Sequence, residues 1–100
     1  MIYCFDLDGT ICSEEKQFSR ALAKPLPGSA PFIQKLKQQG HTVIIYSART
    51  WAEYEMTVEW LNSNLIPFDQ LILGKPIGDY WIDDRAIKFE SWDDIEKKLG

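Results

Sequence analysis

Two carboxylates one residue apart, Asp6 and Asp8, close the apolar run Ile2-Tyr3-Cys4-Phe5, and Gly9 and Thr10 follow at once. Burying an unpaired carboxylate is costly, and two close carboxylates repel, so a cation or a proton must offset them. Other polar residues also stand just past short apolar runs: Ser47 with Arg49, Lys75, and the pair Asp83-Asp84. Clustered carboxylates suit a hard cation such as Mg²⁺. A hydroxyl, backbone N–H groups and a lysine suit the oxygens of a phosphoryl group. One carboxylate can attack phosphorus to form an acyl-phosphate. The second can protonate the leaving oxygen and later activate water.

Strands must carry these residues to one place. Residues 2–6 read as a buried strand, and 42–46 as a second β-branched one. Leu71-Ile72-Leu73 makes a third, Asp79-Tyr80-Trp81-Ile82 a fourth, and Ala86-Ile87-Lys88-Phe89 an edge fifth. Residues 9–27 lack a clean period and read as an irregular flap, ending in Lys24-Pro25-Leu26-Pro27-Gly28. Residues 29–39 read as a helix with Ser29 as its cap and Gly40 as its stop. Thr50-Trp51-Ala52-Glu53 fits a capping box, with Trp51, Tyr54, Val58 and Leu61 facing inward. Ser91 caps a last helix through Leu99. Such alternation implies a parallel α/β sheet, whose ligand crevice lies outside the carboxyl ends of its strands.

Composition bounds the rest. One hundred residues, 45% of them hydrophobic, make a single domain spanning 1–100. The net charge of -4 argues against general nucleic-acid binding, which needs a basic face. Cys4 reads as a buried small hydrophobe, and Cys12 lies just beyond the carboxylate loop. The two show neither disulfide-scaffold nor zinc spacing. No signal peptide and no membrane-length apolar run is read, so a cytoplasmic protein without a membrane partner is expected.

The residues resemble the haloacid-dehalogenase-like superfamily of hydrolases. Asp6-Leu7-Asp8-Gly9-Thr10 looks like its first motif, Ser47 its second, Lys75 its third and Asp83-Asp84 its fourth. The resemblance implies a three-layer Rossmann-like fold with about five parallel strands in the order 3-2-1-4-5. It implies a Mg²⁺-dependent phosphatase in which Asp6 is the nucleophile and Asp8 the general acid and base. Lys75 would neutralise the phosphoryl group and orient Asp6. The phosphate would be held by Gly9, Thr10, Ser47, Ala48, Arg49 and Lys75. The metal would be held by Asp6, Asp8 and Asp83, with Asp84 as a further ligand or one step removed. The short gaps between motifs look like the capless type. The surrounding residues also look like a small subgroup linked to capsular polysaccharide synthesis.

Expected partners are phosphorylated small molecules, phosphosugars or nucleotides before nucleic-acid ends or phosphoproteins, with a second copy as a cover for the open site. Two other functions compete: a receiver-like phosphoacceptor module and a catalytically inactive binding protein. Plainer roles exist for single residues. Arg49 serves either as a substrate contact or in a structural ion pair, and Trp51 and Trp81 read as core rather than as substrate platforms.

Overall fold

β-branched and aromatic runs make strands only where a neighbour completes their hydrogen-bond ladder. The computed structural model describes residues 1–99 and contains three such strands among them. The order along the chain is β1 (Ile2–Phe5), α1 (Ser29–Gln38), β2 (Thr42–Tyr46), α2 (Tyr54–Ser63), β3 (Gln70–Ile72) and α3 (Trp92–Leu99). Two 3₁₀ turns, Gln17–Leu22 and Trp51–Glu53, lie in the connections. The sheet is parallel in the order β1-β2-β3, with Ile2 opposite Thr42 and Ile44 opposite Gln70. Among the described residues, no helix is long and apolar enough to cross a membrane.

The pleat sends alternate side chains to opposite faces. Phe5, Val43, Ile45 and Leu71 share one face and are buried with Ile33 and Leu36 of α1, Trp60 and Leu61 of α2, and Trp92 and Ile95 of α3. Trp92 sits at the centre of an aromatic cluster, its ring 5.7 Å from Phe5 and 5.2 Å from both Phe32 and Phe89. The opposite face is open. Ile2 is 68% exposed, Cys4 and Ile72 are exposed, and Ile44 and Tyr46 are half-buried.

Several expectations change here. Residues 79–82 and 86–89 form no strand, so the sheet has three strands rather than five, and the third layer is not built among the described residues. The apolar run through Tyr80, Trp81 and Ile82 has β propensity but no ladder partner, and Ile82 is 98% exposed. Cys4, expected to be buried, lies on the open face for the same reason. The cap of α1 falls on Gly28, which leaves Ser29 inside the first turn with a buried hydroxyl.

The box at Thr50 forms as read: its N–H and Oγ1 both donate to Glu53 Oε1, at 3.1 and 3.2 Å. The inner face of α2 differs in part. Leu61 is buried and Val58 packs against the core as read, but Thr57 and Trp60 complete the face, while Trp51 and Tyr54 point outward. A 3₁₀ turn runs at about three residues per turn, which shifts Trp51 out of the helix phase. α3 begins as expected, with the Asp94 N–H donating to Ser91 Oγ at 3.1 Å.

Candidate active site

The Asp6–Asp8 segment leaves β1 as a tight loop. Leu7 is fully buried, and its carbonyl accepts N–H bonds from Thr10, Ile11 and Cys12 at 3.1, 2.9 and 3.2 Å. Gly9 takes a left-handed φ of 84° that a side chain would resist, and its N–H donates to the Cys12 carbonyl at 2.8 Å. The Trp92 indole N–H donates to the Thr10 carbonyl at 2.9 Å, so the last helix braces the loop. Leu7 thus anchors the loop in the core, with one carboxylate on either side of it.

The two carboxylates have different surroundings. Asp6 is 41% exposed at its side chain, with the Lys75 ammonium 3.8 Å from Oδ1 and the Thr10 hydroxyl 3.4 Å from Oδ2. Asp8 is turned inward against Arg49. Arg49 Nε and Nη2 donate to its two oxygens at 2.9 and 2.8 Å, a bidentate charge-assisted pair. Arg49 is completely buried, and its Nη1 donates to Thr57 Oγ1 at 3.0 Å. Burial alone would lower the Arg49 pKa, but the bonds and charge of Asp8 outweigh it, so the guanidinium is held more firmly protonated. Of the two roles open to Arg49 in the sequence, the structure displays the ion pair.

The ends of β2 and β3 are stitched together beside this loop. Ser47 is buried, its N–H donates to the Ile72 carbonyl at 2.9 Å, and its Oγ accepts the Arg49 N–H at 3.1 Å. The Lys75 N–H donates to the Ser47 carbonyl and the Gly74 N–H to the Arg49 carbonyl, both at 2.9 Å. These bonds fix where the Lys75 side chain starts. Its ammonium lies 5.5 Å from the Tyr46 ring centre and 4.9 Å from that of Trp81. Ala48 is exposed between Ser47 and Arg49.

The fourth motif is elsewhere. Asp83 and Asp84 lie on the exposed segment after β3, and Asp83 Oδ1 accepts the Arg85 N–H at 2.7 Å. Among the described residues no group of three or more His, Cys, Asp or Glu side chains is gathered as a metal would require. The donor chemistry of Asp6 and of the Asp8 carbonyl suits Mg²⁺, which takes carboxylate and carbonyl oxygens. The geometry is one carboxylate short of the expected set. Two shallow cavities, of about 170 and 460 Å³, flank Gly28 and Trp92, and neither is lined by Asp6, Ser47 or Lys75.

A profile of the haloacid dehalogenase-like hydrolases matches residues 3–98. The chain belongs to this family. The hydrolase finds no match among curated proteins. Its fold is similar to that of a Vibrio cholerae protein at TM-score 0.74 and 23% identity, covering 96% of this chain and 94% of the other. It is also similar to a chain of the Pnkp1/Rnl/Hen1 complex at TM-score 0.64 and 28% identity, covering 83% of the hydrolase but 30% of that chain. A third is the D,D-heptose 1,7-bisphosphate phosphatase of B. bronchiseptica, complexed with magnesium and phosphate. The TM-score there is 0.56 at 19% identity, covering 98% of the hydrolase and 63% of the phosphatase.

Two residues that matter to the hydrolase's site were not singled out in its sequence as site residues. Thr57 completes the Arg49 environment, and its signal was a polar residue in phase with Trp60 and Leu61 on the buried side of α2. Trp92 holds the carboxylate loop through Thr10, a contact 82 residues apart that no local pattern reveals.

Proposed function

We propose that this hydrolase is a phosphomonoesterase that works through Asp6. The observation that carries the reading is the asymmetry of the pair. Asp6 is accessible with an ammonium beside it, whereas Asp8 is held by a buried guanidinium. In the first step an Asp6 oxygen bonds to phosphorus as the ester P–O bond breaks, and the leaving oxygen takes a proton from Asp8. In the second, water attacks the aspartyl-phosphate and gives its proton back to Asp8, releasing phosphate and free Asp6. Lys75, 3.8 Å from Asp6 Oδ1, offsets charge on the transferring group. The Ser47 and Thr10 hydroxyls and the Ala48 N–H are the neighbouring donors for phosphoryl oxygens, the Gly9 N–H being committed to the Cys12 carbonyl.

Arg49 holds Asp8 in position rather than binding phosphate in this reading. Each carboxylate oxygen keeps a lone pair beyond its Arg49 bond, which leaves room for a proton. Asp6 and the Asp8 carbonyl would hold Mg²⁺, the cation complexed with the heptose bisphosphate phosphatase, and it would supply further charge neutralisation. The substrate class is a phosphorylated small molecule, since the net charge of -4 disfavours a polyanion.

The purified protein is expected to hydrolyse an aryl phosphate in the presence of Mg²⁺, and to lose the activity with chelator and in Asp6→Asn. Full activity in Asp6→Asn overturns the mechanism.

A further inference from the structure

Trp51 and Trp81, which read as core, are on the surface at 58% and 55% exposure, Trp51 against Gly74 and Trp81 near the Lys75 ammonium. The Trp51 indole rests on the backbone just before that lysine. A Cβ on Gly74 would come 3.2 Å from its Nε1, a tight contact, so the ring lies close against the bare backbone there. From the other side, the Lys75 ammonium is 4.9 Å from the Trp81 ring centre and 3.8 Å from Asp6 Oδ1. Tyr54 stacks on Trp51 with centroids 5.9 Å apart and planes inclined by 21°, and is itself 39% exposed.

The exposed indole is held firmly. The Thr50–Glu53 box fixes its turn, and Arg20 Nη1 donates to both Glu53 oxygens at 2.8 Å. These bonds commit the Thr50, Glu53 and Arg20 side chains of that turn to one another. A sugar ring stacked there would find few free partners for its hydroxyls. A nucleobase needs only a face to stack on.

We propose that Trp51, backed by Tyr54, is a stacking platform for the base of a nucleoside monophosphate whose phosphate reaches the Asp6 and Lys75 pair. The place of the phosphate rests on the phosphatase reading above. The Lys75 ammonium supplies the complementary charge that ties the ligand to this edge of the rings. The single base and the net charge of -4 favour a mononucleotide over a strand.

The test combines binding with turnover. Trp60 and Trp92 are buried, so in an Asp6→Asn, Trp81→Phe protein Trp51 is the exposed indole, and its fluorescence reports on the platform. Adenosine monophosphate is expected to quench it, and glycerol phosphate and glucose phosphate are not. In otherwise unaltered protein, Trp51→Ala is expected to lower the preference for adenosine monophosphate over glycerol phosphate about tenfold in kcat/KM, and Trp51→Phe to restore most of it. Equal quenching by glucose phosphate, an unchanged preference in Trp51→Ala, or a dimer in sedimentation that Trp51→Ala dissolves overturns the proposal. Turnover of glycerol phosphate without any binding of adenosine monophosphate removes the platform and leaves the phosphatase. Quenching by adenosine monophosphate without turnover of any phosphate leaves the platform and removes the phosphatase.

Discussion

Arg49, fully buried, grips both oxygens of Asp8 at 2.9 and 2.8 Å, while Asp6 two residues earlier faces solvent and Lys75. A buried charge left without its partner is among the costlier defects a fold can carry.

Arg49→Met is therefore expected to destabilise the protein by about 3–5 kcal/mol, because it strands the Asp8 carboxylate beside a desolvated thioether. Adding Asp8→Asn to Arg49→Met is expected to recover part of that loss, since the remaining group is neutral. Urea unfolding of the two single variants and the double variant measures this. A double variant less stable than the sum of the singles contradicts the pairing.

The tether between the two 3₁₀ turns predicts an acid limb in stability. Burial alone would raise the Glu53 pKa, but the bonds from Arg20 and from the Thr50 N–H outweigh it, and the carboxyl titrates below its usual 4.5. The unfolded chain thus takes up this proton at a higher pH than the folded one. The stabilisation is fully present above pH 4.5 and is lost as pH falls through the lower folded value. Glu53→Gln is expected to cost about 1–3 kcal/mol at neutral pH, and the gap to wild type to narrow in acid. Thermal unfolding across that range is the check, and a gap that widens in acid contradicts it.

The two thiols are expected to react at very different rates. Cys4 is exposed on the open sheet face. Cys12 is buried, and that burial, reinforced by Asp8 and only partly offset by Arg49, pushes its thiol up to about 12. A disulfide-exchange reagent near neutral pH is attacked by the thiolate and releases its own thiol, so one thiol is expected to react at once and the second only on unfolding. Cys4→Ser removes the fast phase. A fast phase that survives this substitution would show that Cys12 is accessible in the folded protein.

What could be seen in the sequence was mostly local. Thr42–Tyr46 was bounded correctly because β-branched residues follow Gly40, and the Thr50–Glu53 box because its chemistry spans only three residues. The Asp6 loop and Lys75 were noticed as strand-end residues, and the structure brings them to 3.8 Å. Long-range partnership was hidden. The same aromatic character that marked residues 79–82 as a strand is found in an exposed segment, since propensity says nothing about whether a neighbouring strand is there. Trp51 was misjudged because a 3₁₀ turn breaks the period used to assign its face. Arg49 was seen as having two roles, and only the fold, by bringing it against Asp8 and Thr57, displays one of them.

The bond from Trp92 to Thr10 spans 82 residues, nearly the whole chain. The Thr10 loop is synthesised 82 residues ahead of the indole that braces it. Contacts so distant in sequence form late, because the intervening chain must already be ordered. An emerging polypeptide therefore carries Asp6 and Asp8 through the synthesis of those residues without the brace that shapes their loop. Competence of the site becomes a reporter of completed folding, and refolding followed by recovered activity should lag behind refolding followed by β1–β2 pairing.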